Sequence, residues 1–330
     1  MKKSLYLFTE GELKRKDNSL VFETEAGARH LPVEDIKEIM AFGEIAFNKR
    51  LLEFLSQKEI VVHYFNYYGY YMGTFYPREH LNAGYMVLRQ AEHYLDEGKR
   101  QVLARAFVLG AYRNIRQVLK YYNNRGRDLS LLLSRIEELA EGIDDCRDIN
   151  TLMALEGNIR EHYYHAFDVI INNSDFSFQE RTRRPPKNYL NVLISLGNSL
   201  MYTMILSEIY KTHLDPRIGY LHTTNFRRFT LNLDVAEIFK PLIVDRLIFT
   251  LVDKKMITKE DFEAQAEGLL LKEKAKKVFV GELDKKMGTV IKLKRLGRNI
   301  SYRRLMRLEL YKLEKHIMGE QEYEPFVAPW

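Results

Sequence analysis

One stretch of the chain, residues 219–241, combines side chains whose types and spacing could hold a divalent metal ion. His222 ends the segment Gly-Tyr-Leu-His, and Asp234 and Glu237 follow three residues apart. Because positions i and i+3 share one face of a helix, the two carboxylates would be presented together, with the imidazole delivered from the preceding loop. A mixed set of imidazole and carboxylate ligands suits Mn²⁺ and tolerates Mg²⁺.

The same residues also have an ordinary structural explanation. A histidine in a glycine-containing turn is often a capping or core group, and an Asp-x-x-Glu pair at the start of a helix is favoured by the helix dipole. A metal site needs a third ligand, and the upstream candidate is Glu156 in Met-Ala-Leu-Glu-Gly-Asn. A carboxylate among small and apolar neighbours is costly to bury without a partner, although for Glu156 taken by itself an exposed helix glutamate is the commoner explanation. Spacing alone leaves both interpretations open.

Basic residues accompany these candidates. Arg227 and Arg228 lie within the 219–241 stretch and would hold a phosphate beside a metal. Two other basic clusters stand elsewhere in the chain: Arg181, Arg183, Arg184 and Lys187, and Lys292, Lys294, Arg295 and Arg298. Such clusters are commonly solvated surface, but on either side of a possible metal site they predict a track for nucleic-acid phosphates.

Composition narrows the class of protein. The 330 residues allow two domains, and the net charge of +6 is compatible with a nucleic-acid partner. The sole cysteine, Cys146, excludes an intrachain disulfide and a cysteine-based zinc site. No stretch of the sequence is expected to span a membrane, so we expect a cytoplasmic protein.

The hydrophobic pattern predicts an α+β fold of two domains. Residues 1–82 read as short strands separated by turn signals, with one helix near 48–58, and predict a small β-sandwich-like domain. Residues 83–330 follow helical periodicity and predict a larger all-α domain. Within it, Pro241 should kink an apolar helix without ending it, and the segment 253–285 is expected to hold two short helices.

Five segments, taken in order, resemble the family of CRISPR-associated adaptation integrases. They are MALEGNIR, RTRRPPKNYLNVLISLGNSL, GYLH, LNLDVAEIFKP followed after three intervening residues by Asp245, and YRRLMRLELYKLEKHIMG. Their order and spacing match the family over nearly the whole chain. Several long matches in order are far more specific than any one motif alone.

The resemblance implies roles for particular residues. Glu156, His222 and Glu237 would be the catalytic metal ligands for Mg²⁺ or Mn²⁺. Asp234 would support them from outside the ligand set or serve as an alternative ligand. The residues expected to contact DNA are Arg181, Arg183, Arg184, Asn191, Arg227 and Arg228.

The activity implied is metal-dependent integration: 3′-OH ends of captured foreign DNA are joined to the CRISPR repeat by transesterification, which acquires a new spacer. The alternatives are a structure-selective metal-dependent DNA nuclease without integration and a non-catalytic DNA-binding scaffold. The implied partners are double-stranded DNA, a second copy of the chain and the small second adaptation protein. Residues 1–82 would serve dimerisation and contact the DNA end, and residues 83–330 would carry catalysis.

Overall fold

The structure, a computed structural model, describes residues 2–78, 81, 83–183, 185–224, 229–265, 268–293 and 297–330. Two units are separated along the chain, Met1–Asn82 and Ala83–Trp330. The first is rich in strands and the second is helical, which confirms the predicted fold class.

Short strands with alternating buried positions build the first unit. The strands are β1 (Lys3–Leu7), β2 (Gly11–Lys16), β3 (Ser19–Thr24), β4 (Gly27–Leu31), β5 (Ile36–Ala41), β6 (Ile45–Ala46), β7 (Val61–Phe65) and β8 (Tyr71–Phe75). Between β6 and β7 lies α1 (Lys49–Gln57), which confirms the predicted helix. Its first turn is capped by Asn48, whose side chain accepts a hydrogen bond from the backbone N–H of Leu51.

These strands form two four-stranded sheets. One has the order β1-β5-β7-β8, parallel except for the last pair, and the other has the order β4-β3-β2-β6. Leu13 and Phe22 from the second sheet share one buried core with Ile39 and Val62 from the first and with Phe54 from α1. The unit is therefore sandwich-like, as its sequence pattern predicts.

His63 makes the first unit sensitive to acid. It lies fully buried on β7, with Nδ1 2.8 Å from Thr74 Oγ1, and burial lowers the pKa of His63 to about 4 despite the attraction of Glu38. The unfolded chain binds a proton near pH 6.5 and the folded chain does not. The stability contributed by the neutral imidazole is thus fully present above pH 6.5. As the pH falls towards about 4, we expect the free energy of unfolding to decrease by up to about 3 kcal/mol.

Urea unfolding at pH 7 and pH 4.5 checks this expectation. The His63→Gln variant should show a flatter dependence of unfolding free energy on pH than the wild type, because glutamine at position 63 does not take up a proton. Equal slopes for the two proteins would show that His63 does not set the acid sensitivity.

Helices make up most of the second unit. They are α2 (Gly84–Leu95), α3 (Glu97–Asn123), α4 (Ser130–Glu141), α5 (Ile149–Ile171), α6 (Tyr189–Ile209), α7 (Leu231–Lys240), α8 (Arg246–Asp253), α9 (Glu273–Gly288) and α10 (Tyr302–Ile317). Two antiparallel ribbons join them, β9 (Phe262–Gln265) with β10 (Gly268–Leu271), and β11 (Val290–Leu293) with β12 (Arg298–Ser301). The prediction of two short helices in 253–285 was partly right, since α9 lies there, but it missed the β9–β10 ribbon, because four-residue apolar runs are too short to define a period.

Helix α6 forms the centre of the second unit. It is long and apolar enough to cross a membrane, contrary to the expectation from the sequence, but 83% of its apolar window is buried inside the protein. Asn188 caps its first turn by accepting a hydrogen bond from the N–H of Asn191 at 2.8 Å. Because α6 packs against α7, it supports the helix that carries the candidate carboxylates.

The helix that begins at Leu231 continues beyond its proline. Residues Pro241–Asp245 form a π turn that joins α7 directly to α8. Proline removes a backbone N–H from the hydrogen-bond ladder, and the i→i+5 spacing of a π turn accommodates that loss. The helix therefore continues past Pro241, as predicted.

Candidate active site

Two helices and one loop carry the candidate residues. Helix α5 carries Glu156 and, one turn later, Arg160, whereas α7 carries Glu237. His222 lies in the loop before α7, and the charges of the imidazole and of the two glutamates influence one another. Helix α3 packs against both α5 and α7 and so holds the two helices side by side.

Arg160 links three carboxylates from three parts of the fold. Its Nη2 donates to Glu237 Oε2, its Nε lies 3.6 Å from Glu156 Oε1, and its Nη1 lies 3.8 Å from Asp245 Oδ2 in the π turn. The Arg160 side chain is only 9% exposed. A single buried guanidinium therefore contacts all three carboxylates and offsets part of their negative charge.

Glu237 is held by a second cation. Lys240, one turn later on α7, donates from Nζ to Glu237 Oε1 at 2.5 Å and to the hydroxyl of Tyr202 at 3.3 Å. Burial by itself would raise the pKa of Glu237, but the charges of Lys240 and Arg160 outweigh burial and lower that pKa to about 2. Glu237 is therefore ionised at every pH at which the protein is expected to work.

Glu156 has the opposite electrostatic environment. Burial and then the negative charge of Glu237 raise the pKa of Glu156, and Arg160 only partly opposes them. Two nearby carboxylates whose environments push their pKa values apart are typical of functional sites. A bound cation would relieve the repulsion between them.

Asp234 organises the loop that delivers His222. Its Oδ1 accepts from the backbone N–H of His222 at 2.9 Å and lies 2.8 Å from the ring Nδ1, while its Oδ2 accepts from the N–H groups of Tyr220 and Leu221 at 2.6 and 3.1 Å. An ionised carboxylate only accepts hydrogen bonds, so Nδ1 must carry the proton, which leaves Nε2 of a neutral ring free to bind a metal. Asp234 is fully buried, and this geometry fits a residue that positions the imidazole.

The pKa of His222 follows from the same contact. Burial lowers the pKa of His222, but the hydrogen bond to Asp234 and its negative charge outweigh burial, so the pKa is raised. A carboxylate behind a metal-binding imidazole also makes the ring a stronger ligand.

Gly219 closes the base of this loop. Its N–H donates to Thr230 Oγ1 at 2.9 Å, and a Cβ at this position would lie 2.8 Å from the backbone carbonyl carbon of Thr230. Thr230 Oγ1 in turn donates to the carbonyl of Arg217 at 2.8 Å. Only glycine allows the two ends of the loop to approach this closely.

The predicted DNA-contact residues have different surroundings. Arg181 donates from Nη1 to Asn191 Oδ1 at 2.8 Å and from Nη2 to Ser195 Oγ at 3.1 Å. Asn191 is fully buried and donates to the carbonyl of Glu180 at 2.7 Å, so its side chain holds the preceding loop in this conformation. Arg183 is exposed to solvent. The remaining residues predicted for DNA contact lie outside the described part of the chain: Arg184, Arg227 and Arg228.

The side chains of Glu156, Glu237 and His222 are chemically suited to bind a divalent cation. Two carboxylates and an imidazole with an available Nε2 are ligands suited to Mn²⁺ and acceptable to Mg²⁺. In the part of the chain that the structure describes, no three His, Cys, Asp or Glu side chains already stand together as a metal-binding group. The Arg160 guanidinium lies among the carboxylates and supplies the positive charge there.

Sequence reasoning missed Arg160 and Lys240. Both follow a predicted ligand at helical spacing, Arg160 four residues after Glu156 and Lys240 three residues after Glu237. Opposite charges at these spacings contact one another on a helix. The apolar residues around each pair are the further signal that such a contact is buried.

Comparisons with known proteins agree with the fold. The family model described as CRISPR associated protein Cas1 matches residues 5–285. The CRISPR-associated endonuclease Cas1 2 of Thermodesulfovibrio yellowstonii is 60% identical over 330 residues, which cover all of both chains. The solved structure of a CAS1 protein from Thermotoga maritima is 47% identical, with a TM-score of 0.90, and the match covers 97% of this chain and 99% of that one.

The fold also occurs in a more distant protein. A casposase bound to its integration product has a TM-score of 0.88 at 19% identity, and the match covers all of this chain and 94% of that one. At that identity the likeness concerns the fold alone. The family match and the full-length relatives confirm the resemblance found in the sequence: the chain belongs to the CRISPR-associated protein Cas1 family, whose relative in Thermodesulfovibrio yellowstonii is named an endonuclease.

Proposed function

We propose that this protein is a metal-dependent DNA integrase and endonuclease of CRISPR adaptation. It joins the 3′-OH ends of captured foreign DNA to the CRISPR repeat by transesterification, in the cytoplasm. The observation that carries the proposal is geometric: one buried arginine, Arg160, contacts both Glu156 and Glu237, and Asp234 Oδ1 lies 2.8 Å from Nδ1 of His222. Membership of the Cas1 family and the shared fold with a casposase bound to its integration product support it.

In this proposal each side chain has a defined task. Glu156, Glu237 and Nε2 of His222 would hold a Mg²⁺ or Mn²⁺ ion, which when bound supplies Lewis-acid stabilisation of charge on the attacked phosphate. Asp234 keeps the imidazole proton on Nδ1 and orients the ring. Arg160 and Lys240 keep Glu237 ionised, since together they lower its pKa.

We propose the binding partners of this protein from its membership of the family. We propose double-stranded DNA as substrate, both as captured fragment and as repeat, with the exposed Arg183 as one contact. A second copy of the chain and the small second adaptation protein would complete the assembly. The strand-rich unit would serve dimerisation and contact the DNA end, while the helical unit carries the chemistry.

A structure-selective metal-dependent nuclease is the second candidate, because a full-length relative is named an endonuclease. Integration and hydrolysis would use the same residues and differ in the nucleophile, a DNA 3′-OH in one case and water in the other. A non-catalytic DNA-binding scaffold is less well supported, since the full-length relative is named an endonuclease.

The test compares donor DNA ends. The protein and the second adaptation protein are incubated with Mn²⁺ or Mg²⁺, a supercoiled plasmid carrying the repeat, and duplexes that end in a 3′-OH or a dideoxynucleotide. Joining that requires the 3′-OH supports the integrase. Equal cleavage with both donors would establish the nuclease instead, and binding without any product would leave the scaffold.

Asp234→Asn tests the arrangement behind the imidazole. The substitution keeps the size of the side chain but removes the charge that fixes the Nδ1 proton. We expect metal affinity and joining rate to fall by about 10- to 100-fold, as is usual for such supporting carboxylates. Titration calorimetry with Mn²⁺ measures the affinity, and Asp144→Asn, at an exposed position, is the control. An unchanged Mn²⁺ affinity would show that Asp234 does not tune the site.

A further inference from the structure

The segment Gln321–Trp330, here called the 321–330 strap, follows α10 and packs into the helical unit although it forms neither helix nor strand. Tyr323, Phe326 and Ala328 are buried within it. The family model ends at residue 285, so the strap lies outside the part of the chain that the model matches.

Asn114 joins the strap to the helix that carries Glu237. This asparagine is fully buried on α3. Its Nδ2 donates to the carbonyl of Ile238 at 3.0 Å and to the carbonyl of Phe326 at 2.9 Å, and its Oδ1 accepts from the N–H of Ala328 at 2.9 Å. Both amide protons and the carbonyl oxygen are therefore used, and Ile238 is the residue next to Glu237.

The carbonyl of Ile238 lies where the helix is irregular. In a regular α-helix it would pair with the N–H of the residue four positions later, within the segment that here forms the π turn. Pro241 lacks the N–H that would pair with the carbonyl of its neighbour Glu237 in a regular helix, and the ladder changes from i→i+4 to i→i+5 at this point. Asn114 supplies a side-chain donor at the junction.

Close packing reinforces the same junction. The ring of Phe326 stacks on that of Phe239, with centroids 6.1 Å apart. A Cβ added at Gly110 of α3 would lie 2.6 Å from Pro325 Cβ and 3.2 Å from Ile238 Cγ1. Helix α3, the strap and α7 thus meet with no room for one methyl group.

We propose that Asn114 and the 321–330 strap form a clamp that positions Glu237. The clamp fixes the end of α7 at the π turn, so that Glu237 stays aligned with Glu156 and His222. Asn114 is a positioning residue, since it touches the helix that carries the acid and acts through it. The kinetic part of this inference rests on the proposed function, whereas the structural part does not.

The test loosens the clamp with one substitution in the strap and one in α3. Ala328→Pro removes the N–H that binds Asn114 Oδ1, and Asn114→Leu removes all three hydrogen bonds. Hydrogen–deuterium exchange is followed in peptides covering 237–246, and Ile136→Val in the core of α4 is the control for a general loss of stability. We expect exchange in 237–246 to accelerate about tenfold in both clamp variants and to stay unchanged in the control.

Kinetics separate positioning from folding. We expect Ala328→Pro to lower kcat for joining or cleavage about tenfold and to leave KM for DNA unchanged, because the acid is misplaced while the DNA surface is intact. If Ala328→Pro speeds exchange in the strap but leaves exchange in 237–246 unchanged, the clamp proposal is wrong. This result decides the question even if Asn114→Leu fails to fold. If the wild type neither joins nor cleaves DNA, the proposed function fails, and the exchange result still decides the clamp.

Discussion

Glu237→Gln is expected to reduce DNA joining and cleavage by at least about 10³-fold, equivalent to about 4 kcal/mol of transition-state stabilisation. The wild-type carboxylate is ionised, with a pKa lowered to about 2 by Lys240 and Arg160 against the effect of burial. The amide cannot supply that charge to a metal ion. Glu156→Gln and His222→Ala should have losses of similar size, and the effects should not add, since the three residues act as one unit.

The measurement is single-turnover joining and cleavage with Mn²⁺, together with Mn²⁺ affinity by calorimetry. Glu161→Gln is the matched control, because Glu161 is an exposed carboxylate on the same helix as Glu156. Thermal unfolding shows whether each variant is folded. Full activity of a folded Glu237→Gln protein would mean that the site has been assigned to the wrong residues.

Arg160→Met is expected to cause the largest loss of stability, about 3–5 kcal/mol in the absence of divalent ions. The guanidinium is buried and pairs with Glu237, Glu156 and Asp245, so its removal leaves buried negative charge without compensation. Burial raises the pKa of Asp245 to about 6 even in the presence of Arg160. Methionine keeps much of the volume, so the loss reports charge and hydrogen bonding more than packing.

Urea unfolding in EDTA measures this effect, and a double variant isolates its cause. Arg160→Met combined with Asp245→Asn should recover part of the lost stability, because one of the uncompensated charges is removed. The control is Arg135→Met on α4, whose ion pair with Glu138 is half exposed and should contribute at most about 1 kcal/mol. A loss no greater than that of the control would show that Arg160 does not hold the cluster together.

Much of the fold could be predicted because its signals are local. The helix α1 has a capping asparagine and apolar residues at helical spacing, and the change from strand to helical patterning occurs near residue 83. The short ribbon β9–β10 was missed, since whether a four-residue apolar run becomes a strand depends on the elements that cover it. The length and composition of α6 are those of a membrane span, and only its burial identifies it as the core helix.

The candidate site could be predicted only as a set of residue types. The sequence resemblance selected Glu156, His222 and Glu237, and in the structure the charges of these three residues influence one another. The sequence did not reveal that Arg160 lies among the carboxylates, because its contact with Glu237 joins two helices that are far apart in the chain. Nor did it reveal that Asn191 is enclosed, since burial of a polar side chain depends on tertiary packing.

The π turn has a consequence for helical phase. Residues 237 and 245 are eight positions apart, which in a regular helix turning about 100° per residue would set them about 80° apart around the axis. The wider turn at Pro241–Asp245 accommodates roughly one extra residue without changing the orientation of α8 about the helix axis. Asp245 therefore lies on the side that faces Arg160. A relative that lacks one residue in this turn could form a regular helix and still bury the same faces of α7 and α8. A sequence alignment with such a relative should place a one-residue gap within 241–245. Replacing Pro241 by alanine at constant length would instead restore the missing N–H, favour the regular helix and swing α8 out of phase with α7.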